Sequence, residues 1–455
     1  MKVDISKIRT IYFVGIGGIG MSALARYFKS RGCTVSGYDK TESALTKTLV
    51  MEGISIHYHD NLELIPMDAE LVVYTPAIPE DHAELNYYRS HEYPVWKRSE
   101  VLGEITKNAF NICVAGTHGK TTITTMIAHI LRDSDYGCNA FLGGISVNYD
   151  TNFWSSERDV CVVEADEYDR SFLKLSPDRA VITAMDPDHL DIYGTTETMQ
   201  DAFVEFAKKV KKNGLLLTKK GLQKEREFGD ENHITYSLDK PDADAHAARV
   251  RTSSGGYRFD VVIGRASIGD VVLHMGGTHN VENAVAAITV AHGLDIEEEK
   301  IRKAIATFRG VKRRFEYILR DERHVLIDDY AHHPNELSAL IRGAKELFPG
   351  LRCTIVFQPH LYSRTRDLAD DFARSLDLAD QVILLPIYPA RELAIEGISS
   401  NLILEKMRLV DRHLMSKDQL MEWINREDPR LLVTAGAGDI DNMIEPIKKI
   451  LTEKY

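Results

Sequence analysis

Short apolar runs alternate along this chain with longer amphipathic ones, the rhythm of α/β proteins built on parallel strands. The apolar run at 11–14 leads into Gly15-Ile16-Gly17-Gly18-Ile19-Gly20, and a helical pattern follows over 21–30, so the chain opens with a βαβ unit. Strand-like runs at 34–37 and 71–74 extend this first segment, which ends near Thr106 to Asn108. A second strand–loop–helix order appears at the apolar run 112–115, the loop Gly116-Thr117-His118-Gly119-Lys120-Thr121-Thr122 and the amphipathic run 123–131. Buried-type strands are predicted at 160–163 and 180–183, and the runs at 257–263 and 267–275 around Gly264 predict a small antiparallel insertion. The polar, basic stretch 307–314 links to a last segment. There, strands at 325–327, 353–357, 381–385 and 431–435 alternate with helices, which predicts a largely parallel sheet covered on both faces. The expectation is an α/β protein of three domains, with boundaries at 1–107, 108–312 and 313–455.

A length of 455 residues supports that division, since domains usually hold about 150 residues. The net charge, 56 basic against 68 acidic residues or −12, argues against nonspecific nucleic-acid binding and against anionic membrane surfaces. The densest basic run, Lys208 to Lys212, ends a helical pattern before Asn213-Gly214, where cations favour a helix C-terminus. Five scattered cysteines with no C-x-x-C pair suggest neither a disulfide framework nor a thiolate zinc site. No stretch approaches the roughly 18 apolar residues of a membrane span. A cytoplasmic protein with no membrane or nucleic-acid partner is expected.

Two loops carry nucleotide chemistry. In the P-loop-like segment, backbone N–H groups and the helix N-terminus cradle polyphosphate, Lys120 reaches the β- and γ-phosphates, and Thr121 offers its hydroxyl to Mg²⁺. Gly116, Thr117, Gly119 and Thr122 complete the candidate ATP loop, although the full G-x-x-x-x-G-K-[ST] spacing would need glycine where Val114 stands. The other loop, Gly15-x-Gly17-x-x-Gly20, fits the dinucleotide fingerprint, with Gly17, Gly18 and Gly20 as the diphosphate contacts and Asp39 at the distance of a ribose-binding acid. Alone it would point to an NAD-dependent oxidoreductase; a second nucleotide loop makes hydride transfer the less economical reading. Glu164, at the end of a predicted strand, is the metal candidate, whereas the acids after it read more as a solvated turn. The acids and imidazole of Asp186-Pro187-Asp188-His189-Leu190-Asp191 suit a second metal or an acyl phosphate, or form a plain Pro-Asp turn. Asn280 and Asn283, three apart at the start of an alanine-rich helix, suit either an adenine edge or helix capping.

In their order these motifs resemble the Mur ligase family over essentially the whole chain. The residues that carry the resemblance also include Arg313-Arg314-Phe315, Asp328-Asp329-Tyr330, His332-His333-Pro334 and Gln358-Pro359-His360 with Tyr362 and Arg364. The resemblance implies a Rossmann-like domain for a UDP-sugar, a central ATPase domain and a mobile Rossmann-like C-terminal domain that brings the amino acid. It implies that Lys120 contacts the γ-phosphate, that Thr121 and Glu164 hold one Mg²⁺, that His189 helps to hold another, that Asn280 contacts adenine, and that Arg314 and Asp329 bind nucleotide across the domain boundary. His360, Tyr362 and Arg364 resemble the segment that contacts the amino acid. Family members acting on later precursors carry a carbamylated lysine about fifteen residues beyond the equivalent of His189; residues 190–207 here contain no lysine, which fits the alanine-adding branch. The second departure is Tyr38, bulky where a small residue is expected before Asp39. The activity implied is ATP-dependent ligation of L-alanine to the lactyl carboxylate of UDP-N-acetylmuramate through an acyl phosphate. The recycling reaction, which attaches a tripeptide to the same sugar nucleotide, is the nearest alternative.

Overall fold

The computed structural model describes residues 3–107, 109–229, 232–253, 255–390 and 392–453, so the first predicted boundary, at Asn108, lies outside the described residues. The chain forms two compact units. One comprises Met1–Ala248, Val261–Ile268 and Glu282–Ile305, the other Arg249–Asp260, Gly269–Val281 and Ala306–Tyr455.

The first unit begins with β1 (Thr10–Val14), β2 (Thr34–Tyr38), β3 (Ser55–His57), β4 (Leu71–Tyr74) and β5 (Val95–Lys97), all parallel in the order β3-β2-β1-β4-β5. Alternate residues of β1 serve opposite faces: Ile11 and Phe13 join one core cluster, Tyr12 and Val14 another. Both faces of the strand are therefore covered, which is why its sequence is apolar throughout.

β6 (Phe110–Ala115), β7 (Asn139–Ser146), β8 (Thr151–Trp154), β9 (Val160–Glu164), β10 (Arg179–Ile182), β11 (Leu215–Lys219), β12 (His233–Ser237), β13 (Ala245–Thr252), β14 (Tyr257–Ile263) and β15 (Ala266–Leu273) make a sheet ordered β15-β14-β13-β12-β11-β10-β6-β9-β7-β8. β6 pairs in parallel with β9 on one side and β10 on the other. Like β1, it stands where the strand order reverses, and in open α/β sheets that switch point is where ligands bind. The predicted insertion is β14 and β15, sheet neighbours joined by two residues. β3, β5, β7, β8, β11, β12 and β13 were not foreseen as strands; β3, β5 and β8 are only three or four residues long, and the others carry glycines or polar residues that blur the pattern, so each gains its conformation from a neighbour in the sheet.

A polar clasp fastens helix Ile19–Ser30 to β8. Asn152, fully buried, donates from Nδ2 to the Ile19 carbonyl at 2.6 Å and to Ser22 Oγ at 2.9 Å, while its Oδ1 accepts from Arg26 Nη1. Around it Tyr27 packs on Phe141 and Phe153, with ring centroids 5.5 and 6.0 Å away.

In the second unit β16 (Glu316–Arg320), β17 (Val325–Asp329), β18 (Cys353–Phe357), β19 (Gln381–Leu384), β20 (Arg412–Leu414) and β21 (Leu431–Ala435) are ordered β16-β17-β21-β18-β19-β20. All pairs are parallel except β16 with β17. The four strands expected here are present, flanked by helices such as Pro334–Leu347 and Tyr362–Leu376.

Replacing Asn152 by alanine should leave the buried Arg26 guanidinium short of one acceptor and the Ile19 carbonyl and Ser22 hydroxyl with only their bond to each other. A loss of about 2–3 kcal/mol is expected. Denaturant unfolding checks it, and a midpoint unchanged within error would mean that the clasp carries no stability.

Candidate active site

The glycine loop after β1 and its acid meet as the spacing predicts. Asp39 Oδ2 accepts from the Gly17 N–H at 2.8 Å, and its Oδ1 accepts from the Thr41 N–H at 3.0 Å. Gly18 is the N-cap of helix Ile19–Ser30 and Gly20 lies in its first turn, so free N–H groups face the edge of the sheet. Tyr38 explains its own bulk: it is buried below this edge, its ring 4.6 Å from that of His82 in an edge-to-face contact, in a cluster where Glu84 accepts from Tyr12 at 2.5 Å.

β6 runs directly into the second loop. Gly116 has φ +131°, and a side chain there would strike Thr183 Oγ1, so β10 and the loop approach more closely than any other residue allows. Gly119, at φ +80°, caps helix Lys120–Asp133 against the buried Asn283, whose Oδ1 lies 2.9 Å from where a β-carbon would be. Thr117 Oγ1 accepts from the Asp186 N–H, and Thr122 is buried in the first helical turn.

Lys120 donates from Nζ to the Gly116 carbonyl at 2.7 Å and to Glu167 Oε1 at 2.8 Å. Glu167 was expected in a solvated turn. It is instead 1% exposed, and Oε2 is buried with no hydrogen-bond partner. Burial raises its carboxyl above the usual range, against the pull of the Lys120 ammonium. The β9 strand explains the error: the chain turns back after Ala165, whose N–H is held by the Val114 carbonyl, and carries Glu167 under the P-loop helix instead of outward.

Two sets of oxygen and nitrogen atoms suit cations. Thr121 Oγ1 donates to Glu164 Oε1 at 3.0 Å, and Glu164 Oε2 accepts from the Gly143 N–H at 3.0 Å. Glu167, Asp188 and His189 each bring one ligand atom within 4.8 Å of the others'. The orphaned Glu167 Oε2 is the kind of buried lone pair a hard cation satisfies, so the donor set fits Mg²⁺. His189 sits at φ +49°, its ring edge-to-face with Tyr168 at 5.3 Å. Asp186 turns away to His118, and the Asp191 side chain lies outside the described residues. A cavity of about 300 Å³ lies beside the first loop, lined by Gly18 and Gly20 on one side and Gly143 and Glu164 on the other, and Glu164 ties it to the second loop through Thr121.

In the second unit, Asn280 is buried and donates to the Gly276 carbonyl at 2.7 Å. Arg314 is exposed, whereas Arg313 is tied down by Asp328 at 3.1 Å and the Gly436 carbonyl at 2.6 Å. Asp329 accepts from the Phe315 and Ala331 N–H groups, both at 2.7 Å, and desolvation pushes it up to about 6 despite them. Beyond β18, Gln358 donates to Asp439 at 2.8 Å, and His360 stacks on Tyr388 with centroids 5.9 Å apart. Desolvation, then the Arg364 charge, lower the His360 imidazole below its ordinary range. Tyr362 opens the helix that bears Arg364; His360 Nδ1 and Arg364 Nη1 are both buried without a partner. Tyr388 and Glu392, which accepts from the Ser363 N–H at 3.0 Å, were not foreseen, because only the fold brings the segment after β19 beside the loop after β18.

A glycine loop and a P-loop-like loop at two strand ends, linked through Glu164 and the cavity it lines, give this protein the architecture of a nucleotide-dependent ligase. Three family models match in sequence: "Mur ligase family, catalytic domain" over residues 10–110, "Mur ligase middle domain" over 114–291 and "Mur ligase, glutamate ligase domain" over 313–438. The chain belongs to the Mur ligase family. It is 48% identical over 459 residues to the UDP-N-acetylmuramate--L-alanine ligase of Parabacteroides distasonis, covering 99% of each chain. With the enzyme of the same name from Flavobacterium johnsoniae it shares 47% over 455 residues, 99% of this chain and all of the other. The crystal structure of UDP-N-acetylmuramate-alanine ligase from Thermotoga maritima superposes with a TM-score of 0.85 at 29% identity, covering 98% of this chain and 100% of that one. A murein peptide ligase from Psychrobacter arcticus, 21% identical, shares the fold with a TM-score of 0.67 over 97% of this chain and 98% of that one.

Replacing Lys120 by methionine should strand the Glu167 charge in a buried site and cost about 3 kcal/mol or more. Adding Glu167→Gln should restore most of it. Thermal unfolding of the single and double variants checks this; an undiminished single variant would show that the ion pair is not a buried one in solution.

Proposed function

We propose that this protein joins L-alanine to the lactyl carboxylate of UDP-N-acetylmuramate, with cleavage of ATP to ADP and phosphate, and so supplies a peptidoglycan precursor in the cytoplasm. The observation that carries the reading is the cavity beside the first loop: Gly18 and Gly20 suit a sugar nucleotide's diphosphate, and Glu164, on the opposite wall, accepts from the P-loop Thr121. A bound sugar nucleotide therefore extends from the first loop toward the phosphates held by the second. The near-complete overlap with alanine-adding relatives selects the amino acid.

We assign residues 1–107 to the UDP-sugar, 108–312 to ATP and 313–455 to the amino acid. A carboxylate does not condense with an amine in water, so a carboxylate oxygen first attacks the γ-phosphorus and ADP departs. The neutral amine then attacks the acyl carbon, and the tetrahedral intermediate collapses with loss of phosphate. Lys120 and Arg314 offset the meeting of two anions in the first step, the electrostatic work that dominates phosphoryl transfer. Thr121 and Glu164 would hold one Mg²⁺, and His189 with Glu167 another. Bound there, the metal ions neutralise phosphate charge. Asn280, Asn283 and Asp329 serve the nucleotide. Arg364 takes the L-alanine carboxylate in a bidentate fork, and His360, held neutral by its surroundings, accepts a proton beside it. The five cysteines, all buried free thiols, suit a reducing compartment. Among the described residues no helix is long and apolar enough to cross a membrane.

The recycling reaction with a tripeptide is the competing reading, since a murein peptide ligase shares the fold. ADP release, measured with UDP-N-acetylmuramate and with L-alanine, glycine, L-serine or tripeptide in turn, decides between them. L-Alanine should give the highest kcat/KM; turnover with tripeptide but not with L-alanine would overturn the assignment. Arg364→Ala should raise the KM for L-alanine about tenfold or more, since an ionic hydrogen bond contributes about 1.5–3 kcal/mol. The KM values for ATP and the sugar nucleotide should stay within about twofold, and an unmoved L-alanine KM would remove Arg364 from the site. Lys120→Ala should abolish ligation while UDP-sugar binding, followed by calorimetry, survives.

A further inference from the structure

The cavity beside the glycine loop has an unbalanced charge. Two carboxylates line it, Glu164 and Asp166, and among its lining residues the one cation is Arg98. Arg98 begins the helix Arg98–Thr106 directly after β5, and nothing in its local sequence marks it as a site residue. The fold carries it across to the glycine loop. A β-carbon on Gly20 would come within 2.7 Å of Arg98 Nη1, so the guanidinium rests against the first turn of helix Ile19–Ser30. Its other nitrogen, Nη2, donates to Asp166 Oδ2 at 3.2 Å, and Asp166 Oδ1 is fixed by the Tyr168 N–H at 3.1 Å.

We infer that Arg98 is the anion-binding side chain of the glycine-loop cavity, pairing with the diphosphate of the sugar nucleotide, and that Asp166 is a positioning residue that acts through it. The inference rests on the reading of this loop as the UDP-sugar site. Its physical ground is charge. Without Arg98 the cavity presents two carboxylates to a ligand that carries a diphosphate and a carboxylate of its own. With it, the planar fork divides its donors, Nη2 on Asp166 and Nη1 facing the helix N-terminus, so that backbone N–H groups and one guanidinium converge on the same anion. The sequence Glu164-Ala165-Asp166-Glu167 then serves three partners in turn: Thr121, Arg98 and Lys120. Only Gly20 permits the close approach, which gives the last glycine of the fingerprint a second duty in this chain.

The test is calorimetric binding of UDP and of uridine to the full-length protein and to Arg98→Ala, Arg98→Lys and Asp166→Asn, with steady-state kinetics alongside. Arg98→Ala should weaken UDP roughly tenfold or more while uridine changes less than about twofold, because uridine lacks the diphosphate. The KM for the sugar nucleotide should rise in parallel, with the KM values for ATP and L-alanine nearly unmoved. Arg98→Lys should recover part of the UDP affinity. Asp166→Asn should weaken UDP severalfold in the unaltered protein but add less than about twofold to Arg98→Ala, the mark of a residue that acts through the arginine. Unchanged UDP affinity in Arg98→Ala overturns the role of Arg98 and leaves the loop's reading intact. Equal losses of UDP and uridine overturn it too, since they report a damaged fold. If the unaltered protein does not bind UDP at all, the reading of the loop falls and this inference falls with it.

Discussion

A lysine and a glutamate, 47 residues apart and both largely withdrawn from water, set the arrangement of the central site. Lys120 Nζ lies 2.8 Å from Glu167 Oε1, and neither charge tolerates burial alone. The pair fixes the first turn of the P-loop helix against the chain that leaves β9. Through it the loop, the Thr121–Glu164 contact and the Glu167–Asp188–His189 group hold one geometry.

The fold uses one device three times. β1 and β6 stand where strand order reverses, β18 stands beside the inserted β21, and each of the three empties into a loop of candidate site residues. The first two loops are glycine-rich because backbone N–H groups must approach phosphate. The third is not: Gln358, His360 and Arg364 offer side chains in place of backbone N–H groups.

Neighbouring residues of similar type take different duties. Arg313 is consumed in holding Asp328 and Gly436, while Arg314 beside it remains exposed. The left-handed backbone at Arg313 and Phe315 separates the two directions. Similarly, Glu164 and Glu167 face different partners because the strand ends between them. Side-chain chemistry in such runs is allotted by where the backbone turns.

Much of this protein could be read directly from its residues. Apolar runs flanked by helical periodicity disclosed the central strands, since a strand covered on both faces must be apolar whatever surrounds it. The glycine and lysine spacings disclosed both strand–loop–helix turns, since the left-handed backbone at Gly15, Gly116 and Gly119 constrains the residues themselves. The edge strands were hidden because their conformation comes from a neighbour: three-residue β3 and β5 carry too little pattern to declare it. Glu167 was misread as solvated and Arg98, Tyr388 and Glu392 went unnoticed for a related reason. Burial and proximity are properties of segments distant along the chain, and the approach of Arg98 to Gly20, or of Glu167 to Lys120, exists only once helix, loop and sheet have packed together.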